Sequence, residues 1–334
     1  MTGYLTPTTG NVYVNDLDIQ SNTLEIQKQI GYLPELNPLY SEMRVYDLLQ
    51  FTGEIRDITG KVFKNALTPV DLKSIQNISL QAVTNLSTNH RNRNKSQGSL
   101  ILVADYPEFS TLIGHIVLRK IFNKLKFTDP RFSSGYIISK PPFSPALFWH
   151  QDWWGWDHPV SYTKEIMQVF VMIYLQDTYP ENGCLRVIPG SHRIRHSLHE
   201  SVNAHTEAVS RVENPKDSIY HSTTDEFAVN AKVGDVIIGD SRLIHGSFPN
   251  QSYEERTLIT LWYHPIFKNI PIAMKARICD IFNRKEVDTD PEGTNSMTLE
   301  NWPDSSRQLI QDLFPNSSKG VESQPWCRIP QWPK

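Results

Sequence analysis

A chain of 334 residues with 39% hydrophobic, 10% aromatic and 21% charged residues can bury one large core or two modest ones, which excludes a disordered or fibrous protein. Its formal net charge of −3 argues against a nucleic acid or an anionic membrane as a partner held by bulk electrostatics. The longest apolar run, around Val169–Leu175, is too short to span a bilayer. The opening MTGYLTPTTG has neither the basic nor the apolar region of a signal peptide. Three widely spaced cysteines, Cys184, Cys279 and Cys327, offer no paired metal motif and fit a reducing compartment, so a cytoplasmic location is expected.

Residues 1–58 predict a small α+β segment. TPTTGNVYVNDLDI reads as a glycine turn and a short alternating strand with Val12 and Val14 on one face. IQKQIGYLPELNPLY breaks at prolines, and Ser41 can then cap a helix bearing Val45, Leu48, Leu49, Thr52 and Ile55 on one side. These stretches resemble an internal piece of an ABC-transporter ATPase domain, with IGYLPE at the Q-loop and Glu35 where that family usually has glutamine. A phosphate-binding loop requires G-x-x-x-x-G-K-[ST] so that backbone amides cradle the phosphates; GEIRDITGKV from Gly53 has the wrong spacing and ends in valine. Residues 1–70 are therefore expected to be an ATPase-like fragment that lacks the phosphate-binding loop.

The polar stretch that follows, with its basic patch HRNRNK at 90–95, predicts a linker over 71–98. From Pro107 the period becomes helical, with Phe109, Leu112, Ile113, Ile116, Val117, Ile121 and Leu125 on one face. Beyond it lie short runs rich in β-branched and aromatic residues: FSSGYIIS (132–139), IMQVFVMIYL (166–175), CLRVI (184–188), DVIIG (235–239) and TLITLWY (257–263). Proline, glycine and asparagine clusters separate them, which predicts a β-sandwich or barrel of jelly-roll type, mainly β with flanking helices, over 99–334. From about residue 285 the chain is polar and proline-rich, and reads as a wrapping tail anchored by Trp302, Leu309, Leu313 and Trp326.

FWHQDWWGWDHP, residues 148–159, crowds two histidines, two aspartates and Trp153, Trp154 and Trp156 into one window. In an extended segment residues i and i+2 share a face, so His150 and Asp152 present an imidazole and a carboxylate together. VGDVIIGDSRLIHGSFPN places His245 just past the end of an apolar strand. Two histidines and one carboxylate on one face, with open positions left, is the facial triad of non-haem Fe(II) oxygenases. Eleven residues on, an antiparallel return is expected to bring Arg256 beside the strand of His245, and its planar fork suits a carboxylate. Ser247 can add a hydroxyl, and a dicarboxylate chelating iron at one end and held by arginine at the other is what 2-oxoglutarate offers.

GYIISKPP…WHQD, LQDTYPENGCLRVIPGSH and VGDVIIGDSRLIHGSFPNQSYEERTLITLWYHP resemble the phytanoyl-CoA dioxygenase family of Fe(II)- and 2-oxoglutarate-dependent oxygenases, over about residues 99–265. The resemblance implies a double-stranded β-helix of the jelly-roll or cupin kind. It implies His150, Asp152 and His245 on Fe(II), Arg256 and Ser247 on 2-oxoglutarate, O2 as oxidant, and hydroxylation of a small, partly apolar organic substrate.

Other readings compete. Trp153, Trp154 and Trp156 either pack under a loop or line the substrate pocket. His192, His196 and His199 in SHRIRHSLHE would share a helical face and could hold zinc in a hydrolase, while Arg193 and Arg195 could meet an acidic substrate group. Asp177, Asp235 and Asp240 sit at strand ends, where turn formation is their expected role, and Gly183 and Gly190 are expected to serve turns. A catalytically inactive interaction protein, docked on an ABC transporter through the N-terminal fragment, is the alternative to an enzyme.

Overall fold

The computed structural model describes residues 9–15, 17–18, 21–22, 60–200, 204–282, 299, 302–317 and 319–332. The chain divides into two units, Met1–Arg44 and Val45–Lys334. In the first, β1 (Tyr13–Val14) and β2 (Leu17–Asp18) form a minimal antiparallel hairpin, with Asn15 in the left-handed region at φ +48°. Glu35 and the helix expected after Ser41 lie outside the described residues.

The second unit is organised by the run VFVMIY, β7 (Val169–Tyr174), every residue of which is buried. A strand without polar alternation must be covered on both faces. Val169, Val171 and Ile173 meet a helical layer, while Phe170, Met172 and Tyr174 meet the opposite sheet. Each such side chain contributes roughly 1.5–3 kcal/mol by leaving water.

β7 is central in an antiparallel six-stranded sheet. The other strands are β3 (Gly60–Phe63), β4 (Ile101–Leu102), β5 (Arg131–Lys140), β10 (Val236–Asp240) and β12 (Arg256–His264), in the order β3-β10-β7-β12-β5-β4. A second sheet has the order β6-β11-β8-β9, from β6 (Leu147–His150), β8 (Leu185–Val187), β9 (Phe227–Val229) and β11 (His245–Ser247). Leu185, Val187 and Val229 pack against Phe170, Met172 and Leu258 across the space between the sheets. This is the jelly-roll double-stranded β-helix. Among the described residues no helix is long and apolar enough to cross a membrane.

The expected linker is instead built into this unit. Thr68 caps α1 (Pro69–Thr84), with Pro69 in the first turn and Asp71 at its positive end. Ile75 and Ala82 enter the core, and Gln76 donates to the Leu175 carbonyl at 2.7 Å. α2 (Thr88–Arg93) follows, and Arg91 donates to the carbonyls of Gly98 and Ser139. Polarity misled because α1 buries only the narrow stripe of Ile75, Ser79 and Ala82, and α2 buries none of its residues. β3 pairs with β10, so residues 60–63 belong to the six-stranded sheet and not to the N-terminal fragment expected over 1–70.

The single helix expected from Pro107 is also interrupted. A 3-10 turn (Pro107–Phe109) leads into α3 (Ser110–Ile113), and α4 (Ile116–Lys124) starts afresh with His115 as its cap. Gly114 lies so close to the Leu309 carbonyl that a Cβ there would approach it to 2.8 Å, which fixes the break. The C-terminal tail is anchored by Trp302, Ile310 and Leu313; Leu309, expected to be an anchor, is 52% exposed. Asp177, Asp235 and Asp240 do serve turns. They accept from the amides of Val233, of Asn65 and Lys232, and of Arg242, respectively. Gly183 and Gly190 both have φ +83°, which glycine adopts without strain.

Candidate active site

β6 and β11 run antiparallel with His150 paired directly opposite His245. The imidazoles therefore face each other from adjacent strands, with centroids 4.2 Å apart. In each, Nδ1 lies 3.0 Å from the carbonyl two residues back, that of Phe148 for His150 and that of Leu243 for His245. A carbonyl can only accept, so Nδ1 carries the proton and each Nε2 keeps its lone pair. After β6 the chain turns, and the Ser241 carbonyl accepts from the amides of both Asp152 and Trp153 at 2.9 Å. This clamp holds the Asp152 carboxylate between the rings. Oδ1 lies 3.6 Å from His150 Nε2 and Oδ2 3.6 Å from His245 Nε2.

Those separations are too long for hydrogen bonds. One ligand atom from each of the three residues falls within 4.8 Å of the others, which is the spacing of groups sharing an ion. Burial, reinforced by His245, pushes the His150 imidazole down to about 3, so it stays neutral as a metal ligand must be. Trp262, on the inner face of β12, donates from Nε1 to Asp152 Oδ2 at 2.9 Å. Sequence spacing gave no sign of this partner, since 110 residues separate the two.

Arg256 opens β12, but that strand pairs with β5 and β7. It does not return beside the strand of His245 as expected; its guanidinium reaches the same cavity from the opposite sheet. Nη2 donates to the Gly183 carbonyl at 2.7 Å, while Nε is buried without a partner among the described residues. Ser247 Oγ, two residues from His245, is likewise buried and unpartnered. Burial lowers the Arg256 pKa, and a carboxylate arriving there would relieve the cost of a desolvated cation.

These groups line one cavity of about 600 Å3, a size suited to a small molecule. The unpartnered polar atoms of Gln168 and Thr260 belong to residues lining the same space. The tryptophans divide: Trp154 lines the cavity, while Trp153 and Trp156 are fully buried against Met167, Phe267 and Met274. Sequence reasoning missed His205, Arg277 and Arg328, which also line the cavity and come from segments without a motif.

The histidines of 192–199 do not form the zinc site of the competing reading. His192 and His199 are buried, and His196 turns to Asp225 at 3.0 Å. The preceding turn and a 3-10 helix (Ser197–Glu200) replace the helical face that would have joined them. Among the described residues, only His150, Asp152 and His245 group as ligands for a metal. Arg195 pairs with Glu200 on the surface, and neither it nor Arg193 lines the cavity.

A probable alpha-ketoglutarate-dependent hypophosphite dioxygenase of Stutzerimonas stutzeri is 30% identical over 135 residues, 40% of this chain and 44% of that protein. The chain spans less than half the length of this and the two next curated relatives. Over 60 residues it is 30% identical to ABC transporter A family member 4 of Dictyostelium discoideum, a match covering 18% of this chain and 4% of that one. Among solved structures, HygX from Streptomyces hygroscopicus with nickel, 2-oxoglutarate and hygromycin B bound superimposes with a TM-score of 0.49 at 18% identity. That superposition covers 65% of this chain and 86% of HygX. Residues 47–258 match the family model for phytanoyl-CoA dioxygenase (PhyH), and this chain belongs to that family.

Proposed function

We propose that this chain is an Fe(II)- and 2-oxoglutarate-dependent dioxygenase that hydroxylates a small, partly apolar organic molecule. His150, Asp152 and His245 would hold the iron, and Arg256 with Ser247 the far carboxylate of 2-oxoglutarate. One observation carries the reading. Two lone-pair-bearing imidazoles and a carboxylate converge in the same cavity as a buried arginine that has no carboxylate partner among the described residues. The donor set suits Fe(II) and leaves positions open.

When bound, iron and 2-oxoglutarate supply the oxidising power, converting O2 and 2-oxoglutarate to succinate, CO2 and one oxygen atom for the substrate. The protein supplies position. The carbonyls of Phe148 and Leu243 fix the imidazole tautomers, and the indole of Trp262 holds one oxygen of Asp152. Arg256 would present a preset fork to a carboxylate, and the side chains of Met172, Leu185 and Leu258 give the cavity an apolar wall. All three cysteines are free, which accords with a cytoplasmic protein.

Anaerobic addition of Fe(II) and 2-oxoglutarate to the purified protein should give the weak visible charge-transfer band of a chelated 2-oxo acid. His245→Ala should abolish it. A normal band in that variant would rule out the ligand set.

A further inference from the structure

Arg256 lies at one end of the inner face of β12, and Trp262, six residues on, lies near the other. At the Trp262 end the cavity holds a second group of cations that the proposed chemistry does not use. Arg328 donates from Nη1 to the carbonyls of Gln151 and Asp152 at 3.2 and 3.1 Å, which fixes it on the Asp152 side. Its Nη1 also lies 3.4 Å from His205 Nε2. Arg277, on α5 (Ile272–Phe282), has a buried Nε with no partner among the described residues. The two guanidiniums flank one indole, lying 4.7 Å (Arg328) and 5.7 Å (Arg277) from the Trp326 ring. Trp326 in turn stacks on Trp154, with centroids 5.0 Å apart and planes at 9°. The segment bearing Trp326 and Arg328 is tied down: Cys327 donates to the Trp154 carbonyl at 2.7 Å, and Trp156 donates to that of Cys327 at 3.1 Å.

Asp152 is the carboxylate that favours the charge on Arg328, and neither guanidinium makes a salt bridge among the described residues. Asp152 is committed to the metal, and Glu207, the other acidic lining residue, pairs with Arg211 and Arg93. Planar forks held on an aromatic face are a receptor for a carboxylate or phosphate oxyanion. We propose, building on the oxygenase reading, that Arg277 and Arg328 bind an acidic group of the substrate beside the Trp154–Trp326 pair. The substrate is then an organic acid or a phosphate monoester whose apolar body reaches toward the metal. Arg277, Trp326 and Arg328 all lie outside the residues 47–258 that match the family model, so this selectivity belongs to the chain's own C-terminal part.

Ligand-observed NMR titration tests this with phenylacetate, phenyl phosphate and the neutral methyl phenylacetate. The full-length protein is held anaerobic with Fe(II) and excess 2-oxoglutarate, so that Arg256 is occupied. At least one of the two anions should bind about tenfold more tightly than the ester, and comparison of the two assigns carboxylate or phosphate. Arg277→Met should erase the preference and Arg277→Lys should restore part of it; Arg277 makes no hydrogen bond among the described residues, so neither change should disturb folding. Equal binding of acid and ester, or a preference that survives Arg277→Met and vanishes only in Arg256→Ala, would overturn the receptor. The charge-transfer band recorded on the same unmodified protein separates the two proposals. A band without anion preference overturns the receptor alone, whereas anion preference without a band supports the receptor and overturns the oxygenase reading.

Discussion

Replacing Trp262 by phenylalanine removes one hydrogen bond from the proposed iron ligand and little else. The indole Nε1 lies 2.9 Å from Asp152 Oδ2, and the ring meets Tyr136 edge-on at 5.9 Å, a contact a phenyl ring can keep. A hydrogen bond to a charged acceptor is worth about 1.5–3 kcal/mol. It exists with and without metal, however, so affinity senses only the orientation it imposes on the carboxylate. Partners of this kind typically change metal affinity by about 10–100-fold, and the lower end is expected here because the Ser241 clamp on the Asp152 backbone survives. Anaerobic Fe(II) competition against a chromophoric chelator measures the change, with the thermal midpoint of the metal-free protein as control. A lower midpoint with unchanged affinity would show that Trp262 only packs, and the role given to its N–H would be refuted.

Other expectations follow from the same geometry. Arg256→Ala should weaken 2-oxoglutarate by about 2–5 kcal/mol in binding free energy while leaving Fe(II) affinity within a few fold; equal half-saturating 2-oxoglutarate in the variant would refute the clamp. Stability should fall as the solution is acidified from about pH 6.5 toward 4. Burial depresses His192, His199 and His264 each to about 4 in the folded protein, so between those limits the unfolded chain binds more protons and acid favours unfolding. Urea midpoints that stay flat across that window would show these imidazoles already charged in the fold. Purified protein should show no ATPase activity, because no phosphate-binding loop is present in the sequence; activity that disappears on deleting residues 1–70 would contradict this.

The strands were legible because apolar runs bounded by turn residues have few other ways to bury themselves. DVIIG and TLITLWY became β10 and β12 within a residue of their expected ends. His150 and Asp152 were legible as a pair because two residues so near in sequence stay near in space, although β6 ends at His150 and the Ser241 clamp, not an extended strand, places Asp152. What stayed hidden depended on which strands are neighbours. The sequence around Arg256 suggested a hairpin with the strand of His245, yet the chain crosses to the other sheet between them. Arg256 and His245 therefore meet across the cavity and not along one ladder. The polar stretch over 71–98 misled for another reason: a helix that lends a sheet one narrow apolar stripe looks, by composition, like a linker.

The division between the legible and the hidden follows the division of labour in the cavity. Metal ligands must sit within a few ångströms of one another, and strand pairing delivers that from short local motifs. A substrate is larger than an ion and is met by whatever surrounds the open side, here a loop at His205, a helix at Arg277 and a C-terminal segment at Arg328. No periodicity links residues 205, 277 and 328, since each approaches the cavity by its own route. Burial keeps the His205 imidazole neutral, whereas Arg277 and Arg328 bring charge that folding leaves without a salt bridge among the described residues, and a sequence does not display this because the pairing of charges is decided by tertiary contact. Four guanidiniums, those of Arg93, Arg256, Arg277 and Arg328, line the cavity against the two carboxylates of Asp152 and Glu207. With Arg93 near Glu207 and Arg256 proposed for 2-oxoglutarate, the remaining two would set what the substrate must carry.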